Sequence, residues 1–393
     1  MRIRVIAAVL ASAVASFAVT GAHAASELKI GFLSTLSGPA GGIGAEIRDG
    51  FNLALKLAGG KLGGLPTEVI FADDTLNPET GKQLAERLLK RDRVNLMTGV
   101  VFSNVMLAVW PTIEQAEVFY IAPNATPTRI SGAGCNPRFF SASWPNEAYH
   151  EAAGHYARSK NYANAYLIAP NYPAGQDATS GFKRGFGGTI NAEVYVKLNQ
   201  LDYSAELAQI RAAKPAVVYA FLPGGMGINF IKQFVAAGLS SEVPLLVPGF
   251  TDDQDIIRAV GEPMLGLFDT AHWSYDLDND ANRKFVAAFE KEYKRLPTVF
   301  AEQGYTTALV IDAAVKSAKG KIEDAKAFNA AIASAPSRIK TPRGDWKFAP
   351  NGTPVQDYYL RVVSKDKQGR IVNKKIAVVM QKHVDYWAKD CKK

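Results

Sequence analysis

Cysteine is nearly absent: Cys135 and Cys391 are the only two in 393 residues. Neither belongs to a Cys-x-x-Cys pair, and neither has histidines at zinc-ligand spacing, which excludes the common structural zinc sites. Histidine is also sparse, with five in the chain. His150 and His155 stand five apart on one expected helix, and His272 and His383 stand alone, so these read as surface or interlobe residues, not metal ligands. There is no Gly-x-Ser-x-Gly elbow, no Walker loop and no His-Glu-x-x-His, so no enzyme, cofactor or metal is expected. Beyond residue 24 no apolar run approaches the ~20 residues that span a bilayer. The net charge of +8 is spread in mixed sign. Its Lys-rich patches, residues 365–375 and 389–393, lack interleaved aromatics, so nucleic acid is not an expected partner.

What is present begins with an export signal. Arg2 and Arg4 precede an apolar stretch over residues 5–20, and Ala22-His23-Ala24 is an Ala-x-Ala cleavage site. No cysteine stands near Ala25 to carry a lipid, so the mature chain is expected to be soluble and periplasmic. That compartment oxidises thiols. Two cysteines then pair most simply with each other, tying the C-terminal tail to the loop at residues 131–137. A loop of that length stabilises by roughly 4–5 kcal/mol at most in the chain-entropy picture.

Apolar runs alternate with amphipathic ones along the mature chain. Residues 28–39 are expected to open with a buried strand and pass into a Gly/Pro-rich loop, and further strands are expected at residues 68–72, 95–98, 118–122, 165–169, 216–222, 243–247 and 265–270. Helices are expected at 45–58, 78–91, 104–115, 146–159, 204–213, 227–237, 280–295 and 299–318, with Pro111 kinking or splitting the third. Residues 357–363 and 370–379 read as a hairpin about Gly369. The βα rhythm restarts near Trp144, which favours two α/β lobes over one very large sheet.

Ligands of such sheets bind beyond the carboxyl ends of the strands. Three strand-end loops stand out: residues 99–104, with Ser103 as helix N-cap and anion contact, 122–127, and 170–175. Residues 38–44 are Gly-rich, with an acidic strand end at 68–74 as in a dinucleotide site, but Pro39 and the wrong spacing weigh against that; a small-molecule contact fits better.

The order of these segments resembles the periplasmic substrate-binding proteins of ABC transporters, of the Leu/Ile/Val type. The likeness rests on Ser37-Gly38-Pro39 after the first strand, Asp73-Asp74 before Asn77-Pro78, the loops at 99–103 and 122–126, and Asp202-Tyr203-Ser204. It covers nearly all of the mature chain. It implies an α/β fold of two Rossmann-like lobes (periplasmic binding protein type I) joined by a three-segment hinge. Residues 25–143 with 275–350 would form one lobe, and 146–272 with 354–393 the other. The hinge would lie at 143–146, 271–275 and 351–354.

By the same resemblance, Ser103 falls where the family's serine meets a ligand carboxylate, and Thr126 on a ligand-contacting threonine. Asn124 replaces a small residue, Ile43 an aromatic, and Tyr172 lies beside a second-lobe tyrosine position that Ala174 occupies. The acidic residue that pairs with an amino acid's ammonium aligns near residues 248–250, where this chain has no carboxylate before Asp252. A buried ammonium without a counter-charge costs several kcal/mol. The expected ligand is therefore a small carboxylate with an aromatic body, sandwiched by Tyr172, Phe221, Phe250 and Phe102, with Glu302 and Gln303 reaching a distal hydroxyl. The expected partner is an ABC permease, and the expected state a monomer. The alternatives are an amino acid or amide as ligand, and an exported sensor or enzyme on the same scaffold.

Overall fold

The computed structural model describes residues 27–392, so the expected signal and its cleavage site lie outside the described residues. Fourteen strands form two sheets among them. The first sheet holds β1 (Leu28–Ser34), β2 (Lys61–Leu62), β3 (Leu65–Asp73), β4 (Leu96–Thr98), β5 (Phe119–Ala122) and β6 (Phe139–Ser141), in the order β2-β3-β1-β4-β5-β6. All its pairings are parallel except β2–β3. The second holds β7 (Asn164–Pro170), β8 (Thr189–Val196), β9 (Val217–Ala220), β10 (Leu245–Pro248), β11 (Phe268–Ala271), β12 (Lys347–Phe348), β13 (Pro354–Lys365) and β14 (Ile371–His383). Its order is β12-β13-β11-β10-β9-β7-β8, with β14 on β13. β7 to β11 are parallel, and β13 joins β11 antiparallel.

The apolar runs are buried because helices cover both faces of a parallel sheet. In β1 every residue but Lys29 is buried, and Ile30 pairs with Val69 on one side and Leu96 on the other. Helix starts follow from local chemistry. Asn77 accepts from the N–H groups of Glu79 and Thr80, with Pro78 as first helical residue, to open the helix Pro78–Lys90. Thr298 accepts from the Ala301 N–H to open Val299–Ser317. That helix packs along Gly41–Leu57 on the first sheet, although it follows β7 to β11 of the second. The chain therefore passes between the sheets three times: after β6, after β11, and before β12. Arg343, in the third passage, and Gln356, in β13, both donate to the Ser143 carbonyl of the first passage, at 2.8 and 2.6 Å.

Several expectations are corrected. The helix Ser103–Gln115 runs unbroken through Pro111, and its N-cap is Phe102, so Ser103 is its first residue and not its cap. The loop expected at 170–175 ends early, because Pro173 opens the helix Pro173–Phe186. The edge strand β8 went unread because polar Thr189, Asn191 and Glu193 break up its apolar residues, and only Val196 is buried. The hairpin is longer than expected, and Gly369 turns it with φ +79°. His150 and His272 are fully buried, not surface residues. The expected pairing of Cys135 with Cys391 is borne out: the two are joined as a disulfide.

Candidate ligand-binding cleft

A buried cavity lies between the strand ends of the two sheets. From the first sheet's side come Ile43, the loop after β4 (Val101, Phe102, Ser103), the loop after β5 (Asn124, Ala125), and Phe300. From the second come Tyr172 and Ala174 after β7, Phe221 and Pro223 after β9, and Phe250 after β10. Trp144 and Asn146, from the first passage between sheets, close it. The free space left is about 20 Å³, on the order of one water.

The polar end is built to donate. Asn146 Nδ2 donates to Ser103 Oγ at 2.9 Å and to Asp177 at 2.8 Å, which spends both its protons. Ser103 accepts there, so its own hydroxyl proton is left for an acceptor in the cavity. The first backbone bond of that helix runs from Met106 N–H to the Phe102 carbonyl, so the first-turn N–H groups have no partner within the helix. Together with the helix dipole they favour negative charge. Asn124 is oriented by donating to the Val101 carbonyl at 2.8 Å and accepting from Trp144 Nε1 at 3.2 Å.

The rest of the wall is aromatic. Tyr172 lies 6.1 Å from Phe102 and 6.4 Å from Phe221 between ring centroids. Phe250 lies 4.4 Å from Trp144 and 5.4 Å from Phe300. Burial drives the Tyr172 hydroxyl upward, so it is neutral. No charged side chain among the described residues lines the cavity. Asp252, the first carboxylate after Phe250, is buried outside the lining. There Asn373 Nδ2 bridges it to Asp269 at 3.2 Å each, and Arg361 pairs with Asp269 at 2.7 Å. Burial, then the Asp269 charge, pushes Asp252 well above the usual carboxylate range.

Of the residues expected at the site, the structure brings together Ile43, Phe102, Ser103, Asn124, Tyr172, Phe221 and Phe250. It does not bring Thr126, Glu302 or Gln303 to the lining. Thr126 turns its hydroxyl to Ser141 Oγ at 2.8 Å and its N–H to Asn146. Glu302 accepts from Thr306 at 2.5 Å and pairs with His272 at 2.8 Å. Burial pushes its carboxyl up, but Arg343 and His272 outweigh that and leave it below its ordinary value. Gln303 is buried with neither amide atom partnered among the described residues. Trp144, Asn146 and Phe300 were missed. The signal lay in Trp144-Pro145-Asn146 as the point where the rhythm restarts, since a segment between two lobes also faces the cleft.

Two α/β lobes with a buried cavity between their strand ends define a two-lobed small-molecule binding protein. The model of the periplasmic binding protein family matches residues 27–368, and the chain belongs to that family. It is 29% identical over 381 residues to Leu/Ile/Val-binding protein homolog 6 of Brucella melitensis, covering 94% of this chain and 95% of that protein. An ABC-transporter solute-binding protein of R. palustris in complex with benzoate superposes with a TM-score of 0.87 at 33% identity, covering 93% of this chain and 99% of that one. A solute-binding protein of Rhodopseudomonas palustris BisB5 in complex with 3,4-dihydroxybenzoic acid gives 0.83 at 28%, covering 92% and 99%.

Proposed function

We propose that this chain is an exported solute receptor that binds an aromatic carboxylate in the interlobe cleft and delivers it to an ABC permease, without catalysing a reaction. The observation that carries this reading is the composition of the cavity. Donors at Ser103 and the first turn behind it face an aromatic wall, and no carboxylate in the lining could balance an ammonium. The benzoate and dihydroxybenzoate bound by the two structural neighbours support the same ligand class. Because the free space is so small, a ring enters only when lobes or wall side chains move apart. We place that movement at residues 143–146, 271–275 and 351–354, between lobes at 25–143 plus 275–350 and 146–272 plus 354–393, with β12 reaching from the first of these to pair with β13.

A thermal-shift screen tests the ligand class. Benzoate and hydroxybenzoates should raise the melting temperature and leucine should not; at a hundredfold excess over Kd the stabilisation is about 2.7 kcal/mol. A shift with leucine or valine and none with the aromatic acids would overturn the assignment.

A further inference from the structure

His150 is fully buried, yet one of its ring nitrogens has no hydrogen-bond partner among the described residues. It sits in the first turn of the helix Ala148–Ser159. Its Nδ1 pairs with the Tyr219 hydroxyl, and its Nε2 is the unpartnered atom. Buried polar atoms without partners are costly and few in folded proteins, so this one calls for a physical reason.

Its position suggests one. Tyr219 in β9 and Phe221 just beyond it are two residues apart, so both side chains project to the same face, with Phe221 nearer the cleft. The His150 ring lies across this pair, 5.9 Å from Tyr219 and 4.9 Å from Phe221, and 6.0 Å from Trp144. The ring packs in T-shaped contact on Phe221 and Trp144, both of which line the cavity, so His150 stands directly behind that wall and outside the lining itself. A ring entering about 20 Å³ of free space must displace such wall side chains. Ser103 belongs to the other lobe's wall, so a carboxylate held there aims the ring toward this side. Burial holds the His150 ring neutral, pushed down to about 3, so Nε2 can donate or accept according to the proton on Tyr219.

We propose that His150 is a specificity-determining residue whose Nε2 hydrogen-bonds a hydroxyl on the ring of the bound aromatic acid. The assignment rests on the aromatic-carboxylate reading of the cleft. It favours hydroxylated benzoates over benzoate, because a polar atom already buried without a partner gains one only from a hydroxylated ligand.

Calorimetric titration of benzoate, 3-hydroxybenzoate, 4-hydroxybenzoate and 3,4-dihydroxybenzoate tests it on the wild-type chain, His150→Phe and His150→Gln. The wild type should bind at least one hydroxylated acid about tenfold tighter than benzoate. His150→Phe should bring that ratio close to one while leaving benzoate affinity within about threefold, and His150→Gln should keep part of the preference. Wild-type binding of benzoate as tight as all the hydroxylated acids overturns the role of His150 alone, whether or not the Phe variant folds. So does a preference that survives in His150→Phe. No binding of any aromatic acid overturns the cleft reading and this assignment with it.

Discussion

Ser103 depends on Asn146 more than on its own helix. The Asn146 amide fixes the serine oxygen as an acceptor, leaving its proton for the ligand, and ties that arrangement to Asp177. Ser103→Ala should therefore weaken benzoate binding by about 1.5–3 kcal/mol, the range for a hydrogen bond to a charged group, and should also lower melting of the free protein, because the Asn146 amide loses a buried acceptor. Titration together with melting of both forms checks this. Thr126→Val should behave differently: its hydroxyl faces Ser141, so the loss should fall on stability more than on affinity. Phe250 serves both roles, being 2% exposed and in contact with Trp144, Tyr149 and Phe300. Replacement by alanine should cost about 3–5 kcal/mol in denaturant unfolding. The residues that a resemblance could place were those at strand ends. Glu302 was expected to reach the ligand, but a sequence cannot tell that His272, Thr306 and Arg343 converge on it first.

Among the elements, Pro173–Phe186 was the hardest to read. Its glycines lower helix propensity and resemble a loop signal. They serve a contact instead, because this helix lies close against Ala148–Ser159, the helix that carries Tyr149 and His150. A Cβ on Gly185 would fall 2.1 Å from the Glu151 carbonyl oxygen. Gly185→Ala should therefore destabilise the protein by about 1–3 kcal/mol in urea unfolding, although alanine is the better helix former. A neutral or stabilising outcome would mean that the two helices part without cost. Elements with strong local chemistry, such as Pro78–Lys90 with its Asn77 cap, were legible because cap, proline and periodicity agree.

Across the whole molecule, Asp177 joins the two lobes. It lies in the helix Pro173–Phe186 and accepts from the Thr128 hydroxyl at 2.8 Å, on the first sheet's side. Burial pushes its carboxyl up to about 6, against the hydrogen bonds from Thr128 and Asn146. Parting the lobes would return it to water and to about 4. A carboxyl with the higher value when closed takes up a proton on closing, so closure is favoured at low pH and loses that support as pH rises through about 6. Benzoate affinity should weaken several-fold between about pH 5 and pH 7.5 in the wild type, relative to Asp177→Asn, which lacks the titrating group. Equal slopes in the two proteins would remove Asp177 from closure. The Cys135–Cys391 bridge joins residues 256 apart in sequence, and neither cysteine lines the cavity. Replacing both cysteines by serine should lower stability by roughly 2–5 kcal/mol and leave affinity unchanged.

The sequence by itself determined the alternation of strands and helices, the restart near Trp144, the strand-end loops and the lack of a carboxylate before Asp252. Each of these is written in neighbouring residues, through hydrophobic period, caps and turn residues. Only the tertiary structure decided which polar groups face the cavity. Thr126, Asp252 and Glu302 could each have reached a ligand, but each finds a partner distant in sequence and is spent on it: Ser141, Asn373 and His272. Ser103 stays available because Asn146 donates a hydrogen bond to its oxygen and leaves the hydroxyl proton free, and His150 is left with one nitrogen unpaired among the described residues. Hydrogen-bond capacity is settled by contacts across the fold, and residue type alone does not reveal it.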